Sequence, residues 1–520
     1  MMTTTMTGSS RMRHAPPKAT AMIESLRGLG YSTATALADV IDNSIAAHAT
    51  HVELRFAWAG SLSTVAILDN GDGMNEAELD IAMRLGEKSP QDARDASDLG
   101  RFGLGMKTAS FSQCRRLTVA SRKLGALNCL RWDLDALASS ENDGWYLLEG
   151  AAAGSEHMLR ALDGKEQGTL VLWEHNDRIV TPGFREQDFL DLIDKVERHL
   201  AMVFHRFLQG PQPQFLLTIN DRPVRPWDPF LTGHPATWSS PIATFSSAGG
   251  QVEAQAYVLP HKDRLAPTAH ENAAGPDGWT AQQGFYVYRN RRLLLAGSWL
   301  GLGRGRSWTK EEAHRLARIR LDISNTADSE WKIDIRKSTA RPPVALRMPL
   351  TRLAEDVRER ARRVFAHRGK AVKAGGEKSL AEAWHAEHFK GGIRYRIDRG
   401  HPAVKSVLDD AGPLKMDIGV MLRILEETIP VQRIWLDTAE AKETPRTGFA
   451  EEPPAEVLKV LSTFYKNMIR RRGLSPVRAR EMLLRVEPFD AYPEIIRALP
   501  DVPEELQQDL GHDNNCRNEQ

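Results

Sequence analysis

The sequence predicts a mixed α/β protein with several domains. Residues 64–68 are apolar and partly β-branched, as in a buried strand, and helical periodicity resumes from about residue 75. Strand-like runs follow at 116–121, 128–133 and 169–174, which favours a sheet with helices on one face. With 520 residues, the chain has room for about three or four domains of roughly 100 to 200 residues each.

The first informative element is a helix predicted at residues 33–47. Its apolar side chains recur at helical spacing, and Ser32 or Thr33 is a suitable N-cap. Asp39, Asp42 and Asn43 fall at positions i, i+3 and i+4, so their oxygens share one helix face. Mg²⁺ prefers such hard oxygen ligands. Taken alone, an ordinary polar helix face explains the pattern better.

The second element is the strand at 64–68 and the glycine-rich turn after it. Asp69 ends the strand, and Gly71 and Gly73 follow within four residues. Glycines this close indicate a tight turn or the close approach of another group. A carboxylate at this place can accept a hydrogen bond from the exocyclic amine of adenine. A hairpin is the alternative, since Asp-Gly is a common hairpin signal, but the helical period at 75–85 favours strand, turn and helix.

The third element is a glycine cluster that precedes another helix. Gly100, Gly103 and Gly105 are followed by Lys107 and Thr108. Closely spaced backbone N–H groups ahead of a helix bind phosphate oxygens. The cluster is not a P-loop, because one residue separates the lysine from the last glycine and no buried strand precedes it.

The order and spacing of these elements resemble the GHKL ATPases, the superfamily of DNA gyrase B, MutL, histidine kinases and the heat-shock chaperones. Gly168 and Thr169 match the fourth and weakest motif of that superfamily. The resemblance implies a Bergerat-fold α/β sandwich with ATP and Mg²⁺ as cofactors. In this interpretation Asn43 is the protein ligand of Mg²⁺ and Asp69 reads adenine.

The resemblance also implies the other nucleotide-binding positions and a catalytic base. The positions expected to shape the base pocket or to hold phosphates under a closing lid are Gly71, Gly73, Met74, Gly100, Gly103, Leu104, Gly105, Met106, Lys107, Thr108 and Thr169. Asp39 stands four residues before Asn43, where hydrolytic members carry Glu. Because a general base must reach its water, the shorter side chain implies slow hydrolysis or a helix that lies closer to the nucleotide.

The remaining chain suggests further domains. We expect a disordered arm at 1–18, the ATPase domain at 19–210, a transducer-like α/β domain at 211–345, a connecting helix at 346–374, a helical C-terminal domain at 375–508 and a tail at 509–520. In MutL, gyrase B and the MORC proteins, which this arrangement resembles, a transducer lysine reaches the γ-phosphate. Lys337 is our candidate, and a surface lysine in a basic patch is an equally good interpretation.

Helical periodicity recurs in the later parts of the chain. It predicts helices at 183–208, 380–389, 415–427, 455–472 and 476–485. His199 and His205 lack ligand spacing and are expected to be structural or exposed. His385 and His388 lack a third ligand and are expected at the surface. Glu440 and Lys442 resemble part of a nuclease motif, but the context favours coincidence.

Charge is distributed unevenly along the chain. The net charge is +1, yet residues 286–373 hold 22 Lys and Arg against 9 Asp and Glu. Such an excess indicates binding to double-stranded DNA, and a solvated helix face is the alternative interpretation. No apolar run has the length of a membrane span, and the N-terminus lacks a signal-peptide core, so we expect a cytoplasmic protein. Cys114, Cys129 and Cys516 predict neither disulfides nor zinc.

Together these features predict an ATP-gated dimeric clamp on DNA. The resemblance is strongest to MORC-like bacterial ATPases encoded near restriction–modification genes, which implies a role in defence and restriction–modification proteins as partners. ATP is expected to order a lid at 86–99 and to favour a homodimer, with Lys337 sensing the nucleotide. The alternatives are a chaperone-type ATPase, a non-hydrolysing ATP-dependent scaffold, and a nuclease that uses Glu440 and Lys442.

Overall fold

The computed structural model describes residues 17–86, 105–139, 144–247, 249–324, 328–333, 339–366, 382–389, 392–434, 455–470, 472–486, 489 and 492–501. The chain divides into two compact units, Met1–Gly369 and Lys370–Gln520. The first unit is built from two α/β subdomains, each a sheet with helices packed on it, which are called the first and the second layer. The second unit is largely helical. The predicted fold class is therefore confirmed.

The first layer is an antiparallel sheet extended at one edge by a parallel strand. Its strands are β1 (His51–Ala57), β2 (Thr64–Asp69), β3 (Arg116–Lys123), β4 (Ala126–Asp133), β5 (Leu148–Glu149), β6 (Gly168–Glu174), β7 (Leu216–Ile219) and β8 (Arg222–Pro223). They are ordered β5-β4-β3-β6-β2-β1-β7-β8, and β7 runs parallel to β1. The strands predicted at 64–68, 116–121, 128–133 and 169–174 are confirmed. Because β7 and β8 complete this sheet, the first layer continues past the expected boundary at residue 210.

Helices cover one face of this sheet. They are α1 (Ala19–Arg27), α2 (Thr33–Ala46), α3 (Glu76–Met83), α4 (Gly105–Phe111), α5 (Leu134–Ser139), α6 (Glu186–Val203) and α7 (His205–Leu208). A 3₁₀ turn at Glu156–Leu162 lies on the opposite face, where Leu162 packs with Leu170 and Leu172. The core forms where α2, α4 and α6 pack on the strands, with Leu37, Ile41, Phe111 and Leu200 fully buried. The helix predicted at 183–208 is interrupted at Phe204, which separates α6 from α7.

The second layer is another sheet with helices packed against it. Its strands are β9 (Trp238–Ser239), β10 (Ala243–Ser247), β11 (Gly250–Val258), β12 (Gly284–Arg289), β13 (Arg292–Ser298) and β14 (Ala317–Ile323), and its helices are α8 (Pro267–Ala273), α9 (Gly278–Ala281), α10 (Asp328–Trp331) and α11 (Val344–Ala366), with 3₁₀ turns at Lys262–Arg264 and Glu312–His314. The order is β10-β11-β14-β12-β13, and β9 pairs with β11. Leu346, Leu350 and Val357 of α11 pack into this core.

A buried aromatic cluster joins the two layers of the first unit. Phe230, Tyr257, Tyr286 and Tyr288 pack together with Met202 of α6. Phe230 stacks on Tyr257, with ring centroids 4.6 Å apart. Nε2 of the buried His205 lies 2.8 Å from the Tyr288 hydroxyl, so His205 is structural, which is one of its two expected roles.

The second unit contains a hairpin and short helices. Its elements are β15 (Trp384–Phe389), β16 (Gly392–Ile397), α12 (Pro402–Asp410), a 3₁₀ turn at Gly412–Leu414, α13 (Lys415–Glu427), and helices at Ala455–Arg470, Pro476–Leu483 and Pro493–Arg497. The helix predicted at 380–389 is wrong, because Trp384–Phe389 pairs antiparallel with Gly392–Ile397. An Arg394–Glu387 ion pair of 3.0 Å across the hairpin supports this pairing. The helices predicted at 415–427, 455–472 and 476–485 are found within about two residues.

No helix in the described parts of the chain combines the length and apolar character needed to cross a membrane. Glu440 and Lys442, the residues of the nuclease alternative, lie outside the described residues, as does most of the expected arm at 1–18.

Candidate functional site

Helix α2 places the predicted acidic and amide side chains together on one face. Ser32 is its N-cap and forms a reciprocal capping box with Thr35, which fixes where the helix begins. Asp39 and Asp42 are buried, while Asn43 is exposed. The Asn43 amide nitrogen donates to the Asp39 carbonyl at 2.9 Å, so the amide oxygen is the atom of Asn43 that is suited to a cation.

The Asp39 carboxylate is held between two donors. The Tyr31 hydroxyl donates to its Oδ2 at 3.0 Å. Arg292, which belongs to the second layer, donates from Nη2 to Oδ1 of Asp39 at 3.4 Å. Burial, followed by the negative charge of Asp39, raises the pKa of Tyr31, and a hydrogen bond from Thr108 opposes this rise. Tyr31 therefore links the expected base on α2 to Thr108 on α4.

Asp69 lies buried at the end of β2 and is fixed by the elements around it. The Ser44 hydroxyl of α2 donates to its Oδ2 at 2.8 Å, and the Gly71 backbone N–H donates to its Oδ1 at 3.0 Å. Burial raises the pKa of Asp69, while the hydrogen bonds from Ser44, Gly71 and Thr169 lower it. Thr169 of β6 is the strand partner of Asp69, so the two residues assigned to adenine lie side by side.

The turn after Asp69 requires glycine at both predicted positions. Gly73 has φ +64°, and a Cβ there would lie 1.9 Å from the Arg122 carbonyl oxygen. A Cβ at Gly71 would lie 2.6 Å from the Ala47 carbonyl oxygen. Both distances are shorter than van der Waals contact, so the backbone packs too tightly for any side chain. A helix follows the turn, as predicted. Asn75 caps this helix, α3, with a capping box.

Ser121 of β3 connects this turn to β6 and was not identified from the sequence. The Met74 backbone N–H donates to its hydroxyl oxygen at 2.8 Å. The same oxygen lies 2.9 Å from the Thr169 hydroxyl and donates to the Gly168 carbonyl at 3.2 Å. No local sequence signal marks Ser121, because its partners come from two other elements.

Helix α4 carries the end of the predicted phosphate cluster. Gly105 is its first residue, Met106 packs against the core, and Thr108 is buried. Lys107 is also buried, and its ammonium donates to the Ala82 carbonyl at 2.8 Å and to the Arg84 carbonyl. Lys107 thus fastens α4 to the end of α3, and its role in phosphate binding stays a prediction.

Several predicted site residues lie outside the described parts of the chain. They are Gly100, Gly103, Leu104 and Lys337, together with lid residues 87–99. The described predictions on α2, β2, α4 and β6 do converge, through the contacts of Tyr31, Ser44 and Asp69. The roles assigned to individual residues stay predictions.

The potential metal ligands on this face of α2 suit a Mg²⁺ ion that is bound by few protein atoms. No group of three or more His, Cys, Asp or Glu that could hold a metal ion occurs among the described residues. The Asp42 carboxylate contacts Arg292 at 3.2 Å, which leaves the exposed Asn43 as the best protein donor on this helix face. Mg²⁺ keeps several waters and binds nucleotide phosphates, so a single amide ligand is compatible with it.

The basic region at 286–373 is partly internal. Four of its arginines are buried, namely Arg289, Arg292, Arg318 and Arg358. Arg358 stacks over Trp299 and Trp308, with distances of 4.7 and 4.8 Å to the ring centroids. Other cations of the region remain exposed on α11, among them Arg347, Arg352, Arg360, Arg362 and Arg363. The sequence count therefore overstates the positive surface.

The fold and these contacts form one α/β domain at the N-terminal end of the chain. Residues 31–169 match the family described as histidine kinase-, DNA gyrase B-, and HSP90-like ATPase. The matched segment spans α2, the turn after β2, α4 and the start of β6, where the four motifs lie. This match indicates a GHKL-type ATPase domain within these residues and suggests ATP binding. The match does not extend to the second layer or to the second unit.

Proposed function

We propose that this protein is an Mg²⁺-dependent ATPase that works as an ATP-gated dimeric clamp on DNA. The observation that carries ATP binding is the buried Asp69 carboxylate, held by Ser44 and Gly71 beside Thr169 inside the family match. A fixed buried acceptor can recognise the amine of adenine, because its hydrogen bonds hold it in place before the base arrives.

The chain supplies a base and a metal ligand for hydrolysis. Asp39 takes a proton from the attacking water, and Asn43 holds Mg²⁺ through its amide oxygen. When bound, Mg²⁺ offsets the charge of the phosphate oxygens. Tyr31 and Arg292 contact Asp39, whose side chain is one methylene shorter than that of Glu. We expect slow turnover, because the shorter side chain limits the reach of the base.

The gate rests on the segment that follows Gly86 and on Lys337. ATP favours a closed lid and a dimer only if it binds that state more tightly than the open one. Lys337 senses the γ-phosphate. Double-stranded DNA binds along the exposed arginines of α11, and restriction–modification proteins act as partners in cytoplasmic defence against foreign DNA.

Light scattering tests the gate. The molar mass is measured with Mg²⁺ alone, with ADP and with a non-hydrolysable ATP analogue, for the wild type and for Asn43→Ala. We expect dimers only with the analogue and only in the wild type. A monomer under all conditions, or a constant dimer, would contradict the gate and would favour a non-hydrolysing scaffold.

DNA binding is tested separately by titrating duplex DNA at several salt concentrations. Phosphate contacts release counterions, so affinity falls steeply as salt rises. Arg360→Gln with Arg363→Gln should reduce both the affinity and its salt dependence. Weak binding that does not respond to salt would contradict the DNA clamp and favour a chaperone-type ATPase.

A further inference from the structure

An arginine from the second layer lies buried against the acidic face of α2. Arg292, the first residue of β13, is 5% exposed. Its Nε lies 3.2 Å from both carboxylate oxygens of Asp42, and its Nη2 lies 3.4 Å from Oδ1 of Asp39. Arg292 and Asp39 are 253 positions apart in the chain. This cluster therefore joins the two layers at the expected catalytic base.

Arg292 is itself fixed in this position. Its Nη1 donates to the Leu293 carbonyl at 2.7 Å, and its guanidinium lies 6.0 Å from the centre of the Phe204 ring. A guanidinium is planar and permanently charged. Asp39 thus meets a rigid cation at Oδ1 and the Tyr31 hydroxyl at Oδ2, so groups outside α2 set the orientation of its carboxylate.

We propose that Arg292 is a positioning residue for ATP hydrolysis. It holds Asp39 in the orientation that accepts a proton from the attacking water, and it makes hydrolysis depend on the placement of the second layer. The inference rests on the proposed function, because Asp39 must act on bound ATP. In the reaction, the water oxygen bonds to the γ-phosphorus and the bond from that phosphorus to the β,γ-bridging oxygen breaks. ADP leaves with the electron pair, and the water proton passes to Asp39.

The short side chain of Asp39 explains why an external donor is needed. A general base must lie within about 2.6 to 3.2 Å of the proton donor, and a misplacement of about 1 Å can cost roughly 100-fold in rate. Asp39 has a single side-chain methylene with which to adjust. Arg292 also offsets the charge of Asp42 one turn away, which would otherwise disfavour a second carboxylate beside it.

The test compares ATP affinity, kcat and KM among variants of the β12–β13 hairpin. Arg292→Met keeps an unbranched side-chain stem but removes the guanidinium with its charge and donors, and Arg292→Lys restores the charge. Arg291→Met is the matched control, because Arg291 lies in the same hairpin but is exposed. Its guanidinium lies 5.6 Å from the centre of the Phe207 ring and donates to the Arg206 carbonyl. We expect Arg292→Met to lower kcat about 10- to 100-fold while the Kd for ATP changes less than about threefold. Arg292→Lys should recover part of kcat, and Arg291→Met should match the wild type.

A second variant separates positioning from simple charge balance and protects against misfolding. The variant combines Arg292→Met with Asp42→Asn, which replaces one of the two carboxylates that face Arg292 by a neutral amide. The fold should therefore lose less stability than in Arg292→Met alone. We expect this double variant to fold and bind ATP yet keep a low kcat. Recovery of wild-type kcat would overturn the inference, because Arg292 would then only neutralise charge.

The remaining outcomes are also distinct. Unchanged or raised kcat in Arg292→Met would overturn the positioning role, and raised kcat would show that Arg292 restrains Asp39. A wild type that binds ATP without turnover would overturn the inference and leave ATP binding intact. A wild type that binds no ATP would contradict the proposed function itself.

Discussion

Replacing Asp69 by Asn tests how the adenine of ATP is recognised. The Gly71 N–H is a fixed donor at 3.0 Å from one carboxylate oxygen, so it takes the single oxygen of the new amide. The Ser44 hydroxyl, 2.8 Å from the other oxygen, can rotate and accept from the new NH₂ group. The fold should therefore keep its stability, since burial already opposes the charge and raises the pKa of Asp69. The adenine amine, however, now meets a donor.

The magnitude follows from the loss of one hydrogen bond to a charged acceptor. Such a bond contributes about 1.5 to 3 kcal/mol, so the Kd for ATP should rise about 10- to 100-fold. Calorimetric titration with ATP and with inosine triphosphate, which lacks the amine, isolates the effect. We expect the wild type to prefer ATP and Asp69→Asn to lose this preference.

The control for this prediction is Asp72→Asn, which makes the same chemical change in the same turn. The Asp72 carboxylate is exposed and pairs with His48 at 2.8 Å, so its loss should leave both affinities unchanged. Adenine recognition by Asp69 is refuted if a folded Asp69→Asn variant binds ATP as tightly as the wild type and still discriminates against inosine triphosphate.

Three further predictions concern stability and can be checked by urea unfolding. Gly73→Ala should cost about 2 kcal/mol or more, because φ is +64° and the new Cβ meets the Arg122 carbonyl; a neutral result would contradict the tight turn. Ser121→Ala removes the buried hydroxyl that contacts Met74 and Thr169, and it should lower the free energy of unfolding by about 1 to 3 kcal/mol. Ser121→Thr keeps the hydroxyl and should cost less. Burial and then the charge of Arg292 lower the pKa of His199 to about 4 from 6.5. Since the unfolded chain then binds the proton more readily, the contribution of His199 to stability is complete above pH 6.5 and falls by about 3 kcal/mol toward pH 4. His199→Gln should flatten this slope, the exposed-site control His157→Gln should not, and equal slopes would count against a lowered pKa of His199.

Local sequence patterns predicted the elements that local forces determine. The helix at 33–47 and the strand, turn and helix after residue 64 were predicted because capping residues, apolar periodicity and glycines act within a few positions. The two α/β layers followed from the same patterns. The resemblance assigns both Asp69 and Thr169 to adenine, and the register of β2 and β6 makes these two residues neighbours.

Contacts between distant parts of the chain could not be predicted in this way. The hairpin at 384–397 carries periodicity compatible with a helix, and cross-strand pairing decides the outcome. β7 joins the first sheet beside β1, more than 150 positions earlier in the chain. Arg292 looked like one cation among many in a basic region, yet it is buried against Asp39 and Asp42. Charge counts do not distinguish internal arginines from those at the surface.

The most direct test of the account is the hydrolysis of Mg-ATP by the wild type and by Asp39→Asn, with ATP binding measured on the same samples. Asn keeps the shape of Asp39 but cannot act as a base, whereas Asp72→Asn provides the same substitution outside the catalytic face. We predict slow turnover in the wild type and in Asp72→Asn, and a loss of roughly 100-fold or more in Asp39→Asn with ATP still bound. Equal turnover in Asp39→Asn and the wild type would show that another group activates the water and would contradict the account.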